Sequence, residues 1–262
     1  MDGIEIDRFD SKRGGVPGNV MIDTHCHLDQ IDTPETIVKQ AEARSFTIIA
    51  VTNLPSHYAM ALAHLRDCTY VKAALGFHPL TVGDHPQELM PFIRLAKTAD
   101  YIGEIGLDFS ERGAPTKEAQ VASFERILAA LQGRRRFITI HSRGAVVPVL
   151  DMIEHKRIGP VVFHWFTGSA SQLAKVISSG HYISINPAML RTTTGMHLLE
   201  KTPPDRVLTE TDAPFARIDS RATLPWDVDI VLSQMATLWK KDRGEVEKAI
   251  EQNFKRLFSP GL

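Results

Sequence analysis

The chain has 262 residues, is 43% hydrophobic and carries a formal net charge of -1, which supplies a full core and excludes a wholesale basic surface. Only Cys26 and Cys68 occur, with no paired spacing, so a disulfide framework is excluded and a reducing, cytoplasmic setting is expected. The first twenty residues lack a signal-peptide core, and no apolar run nears the roughly twenty residues that span a bilayer, so no membrane partner is expected.

Residues 1 to 19, broken by Gly14-Gly15 and Pro17-Gly18, read as a flexible arm outside the fold and a candidate contact for a protein partner. From 20 to 262 one domain is expected. Strands are predicted at 20 to 25, 46 to 52, 69 to 77, 101 to 105, 136 to 141, 160 to 164, 181 to 186 and 206 to 211. Helical spacing lies between them, as over 115 to 131, where Val121, Phe124, Ile127, Leu128 and Leu131 share a stripe, and over 145 to 155. Final helices at 229 to 240 and 245 to 258 would close the ring. Runs such as Phe46-Thr47-Ile48-Ile49-Ala50-Val51 are continuously apolar, as parallel strands covered by helices should be. Eight such alternations predict an α/β fold of (β/α)8 TIM-like barrel type.

In that architecture the residues just after each strand share one mouth. Six candidate metal ligands sit at the ends of the apolar runs that face this mouth: His25 and His27 after Val20-Met21-Ile22, Glu104 after Tyr101-Ile102, His141 after Phe137-Ile138-Thr139-Ile140, His164 after Val161-Val162-Phe163 and Asp212 after Val207-Leu208. Alternation places His25 and His27 on one face and Cys26 on the other, where packing is expected. The simplest partition gives one divalent ion to His25, His27 and Asp212, a second to His141 and His164, and shares Glu104, which glycines on either side let approach an ion. Glu210, one turn of the pleat deeper than Asp212, is expected to orient a ligand histidine. His78, after strand three, faces the same mouth and could contact a phosphate oxygen or protonate a leaving group. Four imidazoles favour Zn or Mn, and phosphodiester chemistry favours Mg or Mn.

The segments Ile22-Asp23-Thr24-His25-Cys26-His27-Leu28, Gly76-Phe77-His78-Pro79, Gly103-Glu104-Ile105-Gly106-Leu107-Asp108, His141-Ser142-Arg143, Phe163-His164-Trp165-Phe166-Thr167-Gly168 and Glu210-Thr211-Asp212-Ala213-Pro214 resemble the TatD family of metal-dependent nucleases. The resemblance implies a TIM-like barrel, metal at the six ligands, and DNase activity on single strands or 3′ ends. Asn253-Phe254-Lys255-Arg256-Leu257-Phe258 is similar to the family's terminal helix. Two stretches depart from it: 215 to 226 replaces an Asn-containing loop, and Asn186-Pro187-Ala188-Met189-Leu190 replaces a glycine-like turn.

The expected reaction is two-metal hydrolysis of a phosphodiester, with Asp212 taking the proton of the attacking water, and Glu104 and His78 completing the catalytic set. Topology sorts the arginines. Arg134-Arg135-Arg136 precedes strand five and belongs to the opposite face. Arg112, Arg143, Arg191, Arg217 and Arg221 follow strands and could line a rim for a polyanion, with Phe77, Phe109, Trp165 and Phe215 as faces for unpaired bases. Arg143, Trp165 and His78 rank first as substrate contacts. His57, His64, His85, His155, His181 and His197 need no role. The competing expectations are an ester or amide hydrolase of the same fold, such as an aminoacyl-tRNA deacylase, and a DNA-binding subunit of a larger assembly.

Overall fold

Strands and helices alternate along the whole of residues 21–258, the part of the chain that the computed structural model describes. The predicted arm, the first residue of the first predicted strand and the last four residues lie outside the described residues. The strands are β1 Ile22–Cys26, β2 Thr47–Ala50, β3 Val71–Ala73, β4 Tyr101–Gly106, β5 Phe137–His141, β6 Val162–Phe163, β7 Tyr182–Ile185 and β8 Val207–Thr209. Every predicted strand is present; β1 and β4 run one residue past their predicted ends, and the other six are shorter than predicted. The helices between them are α1 Pro34–Arg44, α2 Pro55–Leu65, α3 Leu89–Leu95, α4 Lys117–Leu131, α5 Val146–His155, α6 Ala170–Ser178 and α7 Thr193–Lys201; α8 Val228–Trp239 and α9 Arg243–Phe258 complete the chain.

Neighbouring strands pair in parallel in two arcs, β1-β2-β3 and β4-β5-β6-β7-β8. Two seams join the arcs. At the first, Leu75 N–H donates to Tyr101 O at 2.9 Å and Gly103 N–H to Leu75 O at 2.9 Å. At the second, Asp212 N–H donates to His25 O at 2.9 Å and His27 N–H to Ala213 O at 2.8 Å. Side chains reinforce that second seam below the mouth: Thr24 Oγ1 donates to Thr209 O at 2.8 Å, and the buried Asp23 carboxylate accepts from the backbone of His25 and Thr211 and from the Thr211 hydroxyl. A buried carboxylate with this many donors keeps its place without an arginine.

The helices cover the outside because their apolar stripes need burial. In α4, Phe124, Ile127, Leu128 and Leu131 recur at three- and four-residue spacing and are buried. At about 1.5–3 kcal/mol per fully buried side chain, one such face outweighs the weak intrinsic preference of the helix. The last helix, α9, ties the barrel at its base: Phe254 lies 5.5 Å from Phe137, and Asn253 Nδ2 donates to Pro204 O and Val207 O at 2.8 and 2.9 Å.

The basic run belongs to this same base. Arg136 donates to the carbonyls of Leu131 and Ala96 at 3.1 and 2.9 Å, Arg134 pairs with Asp100, and Arg135 reaches Arg256 O at 3.4 Å. The acceptors of Arg135 and Arg136 are carbonyls at or just past the C-terminal ends of α3, α4 and α9, where cationic donors are favoured.

His181, also at the base, is buried; its Nδ1 accepts a hydrogen bond from Val161 N–H at 3.3 Å. Burial pushes its pKa down to about 4, with nearby Glu154 opposing. The folded state therefore keeps the ring neutral, whereas the unfolded chain protonates near pH 6.5. Its contribution is present above about pH 6.5 and lost as pH falls toward 4, by at most about 3 kcal/mol. Urea titrations of wild type and His181→Gln should converge over that window; a constant difference would contradict the assignment.

Candidate active site

The six predicted ligands meet at the C-terminal end of the barrel, around one carboxylate. Glu104 Oε1 lies 2.6 Å from His141 Nδ1 and 3.0 Å from His164 Nε2. Its Oε2 lies 3.4 Å from His27 Nε2 and 3.6 Å from His25 Nε2. Asp212 Oδ1 completes the second group at 3.4 Å from His27 Nε2 and 3.8 Å from His25 Nε2. The two oxygens of Glu104 thus divide the histidines as the sequence partition does. One cluster crosses that division, since donor atoms of His25, His164 and Asp212 also lie within 4.8 Å of one another and the two rings stack at 3.8 Å.

Local sequence explains the placement. Gly103 and Gly106 both have positive φ, at 157° and 137°. A Cβ at Gly103 would meet Thr139 Cγ2 at 2.2 Å, and one at Gly106 would meet His141 O at 2.0 Å. The glycines flanking Glu104 therefore let β4 lie against β5; the close approach is to the neighbouring strand, which corrects the expectation that it was to an ion. Asp212 sits at φ 50°, a left-handed conformation that Asp tolerates, and its carbonyl caps the turn by accepting from Phe215 and Ala216 N–H at 2.8 and 3.1 Å.

The donor set fits divalent cations. His25 is buried, Thr139 Oγ1 holds its Nδ1 at 2.8 Å, and its Nε2 faces the two carboxylates without a hydrogen-bond partner. Such an orphaned lone pair is costly unless something fills it. Burial lowers the pKa of His25, keeping that nitrogen free. Burial also pulls on His27, yet Asp212 and Glu104 outweigh it and raise that imidazole to about 9. His141 and His164 are raised by the same contest against burial. Glu104 is held well below the usual carboxylate range, because the imidazoles outweigh its burial. In this arrangement protons neutralise acids that a metal would neutralise more strongly.

Outside the six, Glu210 lies 3.5 Å from His164 Nδ1 and accepts from Trp165 N–H at 2.9 Å and Asn186 Nδ2 at 3.1 Å. The departure at Asn186 thus serves to hold Glu210. His78 joins the centre, its Nε2 3.5 Å from Glu104 Oε2. Sequence reasoning gave no role to Asp108, which sits 2.8 Å from His141 Nε2, or to Thr139. Asp108 lies two residues past the end of β4, at the same mouth as Glu104 within it, and that position is the available signal. Cys26 is buried on the opposite face of β1 from the two histidines, in contact with Ala213 O at 3.9 Å.

The expected rim is smaller than the sequence suggested. Arg191 pairs with Asp219, Arg217 donates to Ser220 O, and Arg221 grips Asp227 through two hydrogen bonds of 2.7 Å. These close a short hairpin, Arg217–Ile218 with Arg221–Ala222, in the stretch that replaces the polar loop. Arg112 and Arg143 are exposed and have no ion-pair partner among the described residues. Phe77 is 1% exposed and packs in the core, so it offers no face to a base. Phe215 is 53% exposed and meets His27 edge-on at 4.8 Å. Trp165 is half-buried, and Phe109 lies under Lys117 Nζ at 4.4 Å. A cavity of about 570 Å³ lies at the base, lined by Arg135, His181, Arg206 and Arg256 among others, and no converging residue reaches it.

A family profile described as TatD related DNase matches residues 22–259. A human protein named deoxyribonuclease TATDN3 is 26% identical over 91% of this chain and 94% of its own. A Bacillus subtilis protein named as an uncharacterized metal-dependent hydrolase, YabD, is 28% identical over 91% and 99%. A Pantoea vagans protein named 3′-5′ ssDNA/RNA exonuclease TatD is 28% identical over 86% and 92%. Among solved structures, a TatD homologue from Escherichia coli superposes with a TM-score of 0.75 at 24% identity, covering 91% of this chain and 97% of its own. A TatD family hydrolase from Entamoeba histolytica gives 0.78 at 16% identity, covering 93% and 99%. These likenesses support the TIM-like barrel. No helix among the described residues is long and apolar enough to cross a membrane.

Proposed function

This chain belongs to the TatD-related DNase family, and on that premise we propose that it is a divalent-metal-dependent phosphodiesterase acting on single-stranded DNA or 3′ ends. The observation that carries the reading is the division of histidines between the two oxygens of Glu104. His25, His27, Asp212 and Glu104 Oε2 would hold one cation, and His141, His164 and Glu104 Oε1 a second. Bound there, Mg, Mn or Zn would supply the Lewis acidity that makes water a nucleophile near neutral pH and offsets charge on the phosphoryl oxygens.

The residues of the chain do the remainder. Asp212 takes the proton from the attacking water because, of the two carboxylates beside His25 and His27, its side chain is the less buried. His78 donates a hydrogen bond to a phosphoryl oxygen. Its Nδ1 accepts from Leu80 N–H at 3.1 Å, so in the neutral ring the proton sits on Nε2, which faces the centre. Burial pushes its pKa down to about 3, which favours this neutral donor over an acid that protonates the leaving group. Arg143, two residues beyond His141 and without an ion-pair partner among the described residues, contacts a flanking phosphate, and exposed Phe215 and half-buried Trp165 offer their rings to unpaired bases. Three of five rim arginines are consumed by internal bonds, which suits a strand end better than a long duplex tract.

Digestion of DNA labelled at either end, with and without added Mn, tests this reading. Metal-dependent shortening from the 3′ end of single strands is expected, and no cleavage of any DNA under any metal would refute it. In the same assay Arg143→Ala should raise KM about tenfold and flatten the salt dependence, while Arg135→Ala, on the opposite face, should leave both unchanged. Equal effects would contradict the face assignment.

A further inference from the structure

We propose that Asp108 is a positioning residue of the metal centre, fixing the ring of His141 so that Nδ1 faces Glu104; the inference rests on the metal-centre reading above. His141 is flanked by two carboxylates, with Glu104 Oε1 2.6 Å from Nδ1 and Asp108 Oδ2 2.8 Å from Nε2. Glu104 also meets His25, His27, His78 and His164, so its side of the ring is the centre. Among the described residues the Asp108 carboxylate meets no other imidazole. Both of its oxygens are hydrogen-bonded, Oδ2 to His141 and Oδ1 to Ser110 N–H at 2.9 Å.

Asp108 is itself locked. Its backbone N–H donates to Gln120 Oε1 at 2.8 Å, and Gln120 Nε2 returns to Gly113 O at 2.9 Å and Thr116 Oγ1 at 3.0 Å. Gly113 fits against the Asp108 carbonyl, where a Cβ would lie 2.0 Å from the oxygen. Gln120 is a buried polar residue on the apolar stripe of α4, and this clamp is what it does there. An acid kept 2% exposed and clamped by an α4 glutamine is preorganised, as partners behind ligand histidines are. An imidazole without such a partner can flip and present either nitrogen; with Asp108 accepting from Nε2–H, the Nδ1 lone pair is the one presented.

The test is calorimetric titration of metal-stripped protein with Zn, joined to long-range proton–nitrogen spectra of the histidine rings, on wild type, Asp108→Ala and Asp108→Asn. Once loaded with Zn, wild type should show His141 carrying its single proton at Nε2. Asp108→Ala should weaken the Zn held through His141 about 10–100-fold, spare the other within about twofold, and mix the His141 tautomers. Asp108→Asn, whose amide oxygen still accepts from Nε2–H while its amide nitrogen loses the bond from Ser110 N–H, should recover the single tautomer and part of the affinity. Unchanged Zn binding in both variants would overturn the proposal, and so would equal losses in both, which would assign the effect to charge. Wild type that binds no Zn would remove the metal centre itself, and the role of Asp108 with it.

Discussion

Glu104→Gln is expected to abolish detectable turnover, with a fall of at least about 1,000-fold in kcat/KM, or about 4 kcal/mol of transition-state stabilisation. The size follows from position. One carboxylate faces five imidazoles, and each of its oxygens serves a different group. An amide keeps the shape but offers one neutral acceptor and one donor, so the two proposed cations would lose their shared anion together. The same change should lower the metal-free stability by only about 1–3 kcal/mol, the cost of leaving buried partners poorly satisfied. Steady-state kinetics with saturating Mn and urea unfolding without metal measure the two effects separately. Residual activity within tenfold of wild type would show that Glu104 does not bridge.

Asp212→Asn should keep the fold and the substrate affinity while lowering kcat by about 100- to 10,000-fold, the range that general base catalysis supplies. The backbone at this position accepts the substitution without change. Asn tolerates the left-handed conformation at φ 50° as well as Asp does, and the backbone bonds from Asp212 N–H to His25 O and to Asp212 O from Phe215 do not involve the side chain. A loss in kcat with KM held within about threefold is the expected signature. Near-wild-type kcat would remove Asp212 as the proton acceptor.

The barrel was legible in the sequence because parallel strands buried on both faces leave uninterrupted apolar runs, and because the six chemical residues each end one. Even β7, read from the mixed run His181-Tyr182-Ile183-Ser184-Ile185, pairs with β6 and β8 as required. The interactions between distant side chains were not legible. Nothing in the spacing says that Thr139, midway along β5, holds His25, or that Gln120 reaches back from α4 to fix Asp108. The rim arginines show the same limit from the other side. Topology placed Arg191, Arg217 and Arg221 after strands, but their acceptors Asp219 and Ser220 lie in a hairpin turn and Asp227 in the single turn before α8, whose conformations no periodicity encodes. Phe77 reads as a candidate base platform by position and is core by packing, since a large aromatic near a strand end is worth more buried.

Anomalous diffraction from crystals grown with Mn tests the central claim most directly. Two peaks are expected, one on each side of the Glu104 carboxylate, the first ligated by His25, His27 and Asp212 and the second by His141 and His164. Full-occupancy crystals with no peak at Glu104, or with these side chains turned away from the metal, would contradict it.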